Sequence, residues 1–348
     1  MNAQRSSDSV PVSSWRSARL FVTDEFAAPP VILRVNDSVI GTLGNFSAST
    51  GKAKSKKTFN VCAIVAAAMT GGTVLNYSAS LPPERRRILY VDTEQSRFHC
   101  KRVLCRILRL AGLPTDVHPP LLEFLCLRGY ATKERLRKIE EAIYDLDDLG
   151  LVVIDGIRDL AHDINSPGEA TDLITKLMQW TDERRIHIHT VLHLNKGDDN
   201  TRGHLGTELN NKAETVLQIT KDDFDRDISS VAAMHIRDRD FEPFAFRINA
   251  DALPEQVEDY QLRQTTAAKS FDYAEVCEAK HREALELLFS KADRVSYSSL
   301  IGRLQSSYAA IGHSFGINKA KQLKVFLENK RMIVKEDRFY RYNSDFHY

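Results

Sequence analysis

No run of about 18 apolar residues occurs in the 348-residue chain, so no stretch is long enough to cross a bilayer as a helix. The opening "MNAQRSSDSVPVSSWRSARLF" lacks the apolar centre of a secretory leader. The five cysteines, Cys62, Cys100, Cys105, Cys126 and Cys277, form no CxxC pair and no regular framework, which argues against a disulfide scaffold and against zinc held through thiolates. Together these absences predict a cytoplasmic protein with no membrane association. Charge of one sign is not in surplus either. Lys and Arg number 48 against 47 Asp and Glu, a net charge of +1, so any surface that attracts a polyanion must be local.

What is present reads as two domains with a leader and a linker. Residues 1–29 are rich in Ser and Arg and end in "AAPP", a flexible segment. Over 30–251, apolar runs such as "RRRILYVDTEQS", "LLEFLCLRGY", "LGLVVIDGIRDL" and "IHIHTVLHLNK" alternate with segments of helical spacing. That alternation predicts an α/β fold, a mostly parallel sheet with helices on both faces. From "ETVLQITKD" through "SVAAMHIRDRDFEPFAFRIN" successive strands with short turns predict an antiparallel edge. Residues 252–271 are polar and mixed and read as a linker, and 272–348 as three helices followed by a hairpin.

The chemistry turns on "GKAKSKKT", Gly51 to Thr58. A phosphate-binding loop needs glycines so that backbone N–H groups can curl around phosphate, a lysine to reach its oxygens, and a Ser or Thr hydroxyl for magnesium. The spacing fits, but Lys56 stands where the second glycine belongs. A solvated basic run would read much the same in isolation. The tract lies between a predicted strand and the Ala-rich "FNVCAIVAAAMTGG", however, and strand, loop, buried helix is the context the motif requires. The loop is therefore assigned to Gly51, Lys52, Ala53, Lys54, Ser55, Lys56, Lys57, Thr58 and Phe59. Lys56 is expected in a right-handed conformation, already entering the helix.

Polar residues then end several predicted strands. Asp155 closes "LVVID", where a carboxylate can reach magnesium; Asp92 and Glu94 follow another strand, either able to polarise water; His193, Asn195 and Lys196 follow a third. In an open α/β sheet such ends converge on one crevice. His187, His189 and His193 also share one face by period two, a possible zinc set. No carboxylate lies nearby in sequence to orient the rings, which disfavours it.

The ordered set resembles the RecA-like P-loop ATPases, in particular the branch of RepA and DnaB-type hexameric helicases and related ATPases of plasmids and mobilisable transposons. The resemblance covers roughly residues 30–250. It implies ATP with Mg2+, the loop lysine at Lys57, the metal-binding hydroxyl at Thr58, the catalytic glutamate at Glu94, the magnesium-linked aspartate at Asp155 and the γ-phosphate sensor at His193 or Asn195. The family's arginine finger would be Arg237, with Arg239 second, in "HIRDRD"; His235 replaces the first basic residue of that pattern. DNA, a homohexamer and a replication or mobilisation protein are the implied partners. An ATP-dependent regulator or loader and a non-hydrolysing scaffold are the alternatives. The 272–348 segment has the order of a winged helix, with Lys319, Lys321 and Lys324 on the third helix as DNA contacts, or else it is a protein-docking module.

Overall fold

The computed structural model describes residues 15–194, 203–222, 225–258, 260, 271–273 and 276–345. The chain divides into two compact units, residues 1–262 and 263–348.

The first unit begins with a hairpin, β1 (Val31–Val35) and β2 (Ser38–Thr42), then β3 (Phe46–Gly51), helix α1 (Lys57–Thr70), and the short β4 (Thr73–Val74) and β5 (Tyr77–Ala79). There follow β6 (Arg87–Asp92), α2 (Arg97–Leu110), β7 (Leu122–Cys126), α3 (Thr132–Asp145), β8 (Leu149–Asp155), α4 (Pro167–Arg184), β9 (His187–His193) and α5 (Gly203–Lys212). The unit closes with β10 (Thr215–Lys221), β11 (Ile228–Ile236), β12 (Phe244–Ile248) and β13 (Pro254–Val257).

The main sheet has the order β13-β12-β11-β10-β3-β9-β8-β6-β7. Strands β10, β3, β9, β8, β6 and β7 run parallel, and β11, β12 and β13 continue antiparallel. This is the expected parallel sheet with an antiparallel edge. Pro254–Val257, which the polar composition assigned to a linker, instead pairs with β12. The stretch 31–49 is also more divided than its strand-like texture suggested. It yields β1, β2 and β3, and the first two join β5 and β4 in a separate four-stranded sheet, order β2-β1-β5-β4.

Alternation along the central strands covers both faces. Ile88, Tyr90, Leu151 and Val153 pack with α1, α2 and the small sheet, whereas Leu89, Val91, Val152 and Ile154 pack with α3, α4 and α5. Helix α1 is buried nearly all round, from Asn60 to Met69, which is why its sequence is apolar without a polar stripe. It stops at Gly71, whose left-handed backbone (φ 63°) lets its N–H bond the Ala67 carbonyl.

The second unit holds α6 (Glu278–Phe289), β14 (Val295–Ser296), α7 (Tyr297–Ala310), α8 (Ile317–Asn329), β15 (Ile333–Glu336) and β16 (Phe339–Tyr342). The three expected helices and the hairpin are present. Strand β14, too short to show in the sequence pattern, pairs with β16 and makes a three-stranded sheet, β14-β16-β15. Its own core includes Leu285, Leu300, Tyr308, Leu323 and Ile333. Among the described residues no helix is long and apolar enough to cross a membrane.

Candidate nucleotide site

Strand register brings the strand-end members of the predicted site side by side. Gly51 is opposite His193 across β3 and β9, Asp155 is opposite Val191 across β8 and β9, and Asp92 is opposite Asp155 across β6 and β8. The carboxyl ends of four parallel strands thus meet the N-terminus of α1. Four N–H groups at a helix start lack intrahelical partners and carry a partial positive charge, so this end suits an anion.

Gly51 is required by space. A Cβ there would lie 2.3 Å from the Ile219 carbonyl oxygen and 2.5 Å from Ser55 Oγ. Ser55 Oγ is itself buried without a hydrogen-bond partner. A cradle that admits no side chain, with an orphaned hydroxyl beside it, fits a phosphate group. Lys57 Nζ donates to the carbonyls of Gly51 (2.8 Å) and Lys52 (2.9 Å), so the ammonium is held at the loop mouth. Burial lowers its pKa to about 8 against the opposing pull of Asp155 and Glu94.

Thr58 Oγ1 donates to Asp155 Oδ2 at 2.9 Å, and Tyr90 OH donates to the same oxygen at 3.0 Å. The Asp155 carboxyl is buried at the floor of the pocket, and burial first, then the Asp92 carboxylate, raises its pKa to about 6. A hydroxyl and a carboxylate in contact at a strand end are the donor set magnesium takes in phosphate-transfer sites. The residues therefore fit the nucleotide and the metal that the resemblance implied.

The structure separates Asp92 from Glu94. Asp92 is buried, and its carboxylate accepts from the backbone N–H groups of Glu94 (3.0 Å) and Gln95 (2.7 Å) and from Gln95 Nε2 (2.7 Å). It shapes the loop. Glu94 projects into the pocket with its Oε1 3.6 Å from His193 Nε2. The neighbouring imidazole is the main cause of its lowered pKa, with Lys57 and Arg158 contributing, so the carboxylate is held ionised. Thr93 links this loop to Asp155, accepting from the Gly156 N–H at 3.0 Å; the Asp155–Gly156 peptide is cis.

Lys56 corrects the expectation made for it. Its backbone is left-handed, φ 67° and ψ 28°, not right-handed. The loop turns into the helix at this residue through a conformation that glycine adopts freely and that costs an L-residue about 1–2 kcal/mol. Its ammonium points away from the phosphate cradle to the carbonyls of Asp227 (2.5 Å) and Arg226 (3.4 Å) in the turn after β10. That tie offsets the backbone cost.

His187 and His189 are core residues. Ser47 Oγ bonds both rings (2.7 and 2.8 Å), Ser49 Oγ bonds His189 (2.9 Å), and His187 Nδ1 meets the Thr42 carbonyl at 2.9 Å. Burial lowers the pKa of both, that of His189 to about 3. Their nitrogens are engaged with protein oxygens, and only His193 reaches the pocket. Asn195 and Lys196 lie outside the described residues. Arg237 is not brought into the site. It follows β11, whose end pairs with Thr215, and Thr215 stands beside Ser47 at the amino end of β3, the opposite end of the strands from Gly51; Arg237 Nη2 donates to the Lys212 carbonyl.

The pocket, a cavity of about 350 Å³, is also lined by Gln95, His99, Arg102 and Arg106. The last three lie on α2, where the apolar spacing of the helix draws attention away from its polar face. His99, Arg102 and Arg106 recur at i, i+3 and i+7, a second stripe beside Val103 and Ile107. The Arg106 guanidinium lies 3.8 Å above the Phe59 ring, and its Nε donates to the Ala252 carbonyl.

In the second unit, two of the three predicted DNA lysines are engaged internally. Lys324 pairs with Glu328 at 2.5 Å and lies 5.0 Å from the Tyr340 ring, and Lys319 lies 5.0 Å from the Tyr273 ring. Lys321 is exposed.

Fold and strand-end geometry define an α/β domain of the P-loop type, a loop between strand and helix at the carboxyl ends of a parallel sheet. Comparison with protein-family models matches residues 16–199 to the AAA domain family, more than half of the chain, and the chain belongs to that family. Solved structures that align with it include a RadB recombinase, at 16% identity and TM-score 0.45 over 62% of this chain and 92% of that one. Another is a KaiC-like protein from the hyperthermophilic archaeon Pyrococcus horikoshii OT3, at 14% identity and TM-score 0.45 over 62% of this chain and 90% of that one. No curated protein matches the chain.

Proposed function

We propose that the chain hydrolyses ATP as a hexameric RecA-like motor or switch acting on DNA in the replication or mobilisation of a mobile element. The observation that carries the reading is the meeting of Gly51, Lys57, Thr58, Asp155, Glu94 and His193 at one end of the sheet. Lys57 places a positive charge on the β- and γ-phosphates, and loop N–H groups complete their cradle. Thr58 and Asp155 would hold Mg2+, which supplies charge neutralisation on the phosphate oxygens. Glu94, ionised and facing the pocket, accepts the proton of the attacking water. His193, 3.6 Å from Glu94, is placed to register whether the γ-phosphate is present. Arg102 and Arg106 offer planar guanidinium groups to the rest of the nucleotide. Arg237, at the opposite end of the strands from the loop, serves a neighbouring subunit as an arginine finger.

The second unit is read as a winged-helix module that holds DNA. Phosphate release by the purified protein, with and without duplex and single-stranded DNA, tests the proposal. Stimulation by DNA supports it, and turnover indifferent to DNA opposes it. Strand separation by the same preparation distinguishes a motor from a loader or regulator.

A further inference from the structure

The outward face of α8 differs from the lysine-rich surface expected of it. With Lys324 paired and Lys319 over an aromatic ring, the exposed positions are Ile317, Asn318, Lys321, Gln322, Val325 and Asn329. Asn318, Gln322, Val325 and Asn329 follow at i, i+4, i+7 and i+11, one stripe along the helix. Ile317 and Val325 are 55% and 50% exposed, on a helix whose inward face already supplies Ala320, Leu323 and Leu327 to the core. No carboxylate lies on the exposed stripe, since Glu328 is tied to Lys324.

The surroundings are basic. From Gly316 to Arg341 eight Lys and Arg stand against three Asp and Glu, and Glu336 is paired with Arg341 and Arg294. Lys335 and Arg338 are exposed on the β15–β16 hairpin, flanking Asp337 at its turn. The helix is 13 residues long, about 20 Å at 1.5 Å per residue. The major groove of duplex DNA admits an α-helix, and there Asn and Gln can pair bidentately with adenine while aliphatic groups pack on the thymine methyl. The helix's basic neighbours meet phosphates.

We propose that α8 reads base edges of duplex DNA, recognising A·T pairs through Asn318 and Gln322 with Val325 and Ile317 against thymine methyls, while Lys321, Lys335 and Arg338 contact the backbone. The chain is then directed to a particular site on DNA rather than bound to DNA at large. This rests on the reading of the second unit as a DNA-binding module and adds to it the means of selection.

The test uses the full-length protein in selection from a random duplex pool, followed by fluorescence anisotropy on the selected duplex and on a scrambled one across a salt series. An A·T-containing motif is expected. Asn318→Ala and Gln322→Ala each reduce the preference for that motif by roughly 5- to 100-fold, with thermal unfolding unchanged because both side chains are exposed. Lys335→Ala and Arg338→Ala weaken both duplexes alike and lower the salt slope by about one each. No enriched motif, with Asn318→Ala and Gln322→Ala binding as wild type while the hairpin variants still weaken binding, overturns base reading and leaves phosphate-mediated binding standing. No duplex binding by the wild type overturns both and points to a protein partner for this face.

Discussion

Asp155→Asn should make the nucleotide-free protein more stable at neutral pH while impairing its magnesium-dependent binding of ATP. The wild-type carboxyl is buried and its pKa rises from 3.8 to about 6, through burial and the Asp92 carboxylate. A raised carboxylate pKa means that the folded state holds the proton more tightly than the unfolded state. The ionised group therefore costs nothing below the unfolded value, and the cost grows with pH until it is complete above about 6. Two pKa units correspond to about 3 kcal/mol at most. Asparagine keeps an oxygen able to accept from Thr58 and Tyr90, whose hydroxyls now donate to Oδ2 at 2.9 and 3.0 Å. Those bonds weaken when the charge is lost, so the net gain should be about 1–2 kcal/mol, or roughly 2–8 °C in Tm for a unit of this size. Thermal unfolding with EDTA from pH 5 to 8 measures it. The variant's advantage should be small at pH 5 and largest at pH 8. A variant that is less stable at pH 8, or an advantage independent of pH, would refute the reasoning.

Gly51→Ala should cost about 1–3 kcal/mol in urea unfolding and weaken nucleotide binding, since its methyl would press on the Ile219 carbonyl and Ser55. Lys56→Gly should preserve ATP affinity, because the left-handed backbone suits glycine, whereas the β-branched Lys56→Val should destabilise the protein by at least 1–2 kcal/mol; equal behaviour of the two in calorimetry would contradict the backbone argument. Mixing Arg237→Ala with Lys57→Ala subunits should restore part of the turnover that each lacks alone. Failure of rescue in demonstrated mixed oligomers would count against a shared site.

Much of this site is legible in the sequence because its parts are tied to strand ends. A phosphate loop between an apolar strand and an Ala-rich helix survives the loss of one glycine, and Asp155 and His193 follow from where their strands stop. What the sequence conceals is backbone conformation and competition among neighbours. Lysine at position 56 gives no sign of a left-handed residue, since its cost is offset by carbonyls some 170 positions away. Asp92 and Glu94 are equivalent on paper, and burial, the loop N–H groups that donate to Asp92 and the His193 ring beside Glu94 set them apart. The same holds for Lys324, whose charge is taken up by its partner Glu328. Strands β1, β2, β4 and β5 do not separate in the sequence because segments of two to five residues leave too short a pattern to read. The His99, Arg102 and Arg106 stripe is present in the spacing, but the apolar face of the same helix carries the stronger signal.

The central claim is that the convergence of strand ends on α1 makes an ATP-hydrolysing site with distinct binding and catalytic groups. Equilibrium binding of a fluorescent ATP analogue with Mg2+, measured beside steady-state phosphate release for wild type, Lys57→Ala and Glu94→Gln, tests it most directly. Lys57→Ala should lose binding, and Glu94→Gln should bind as wild type with turnover reduced by about 10²- to 10⁴-fold. Wild-type affinity in Lys57→Ala, or undiminished turnover in Glu94→Gln, would contradict it.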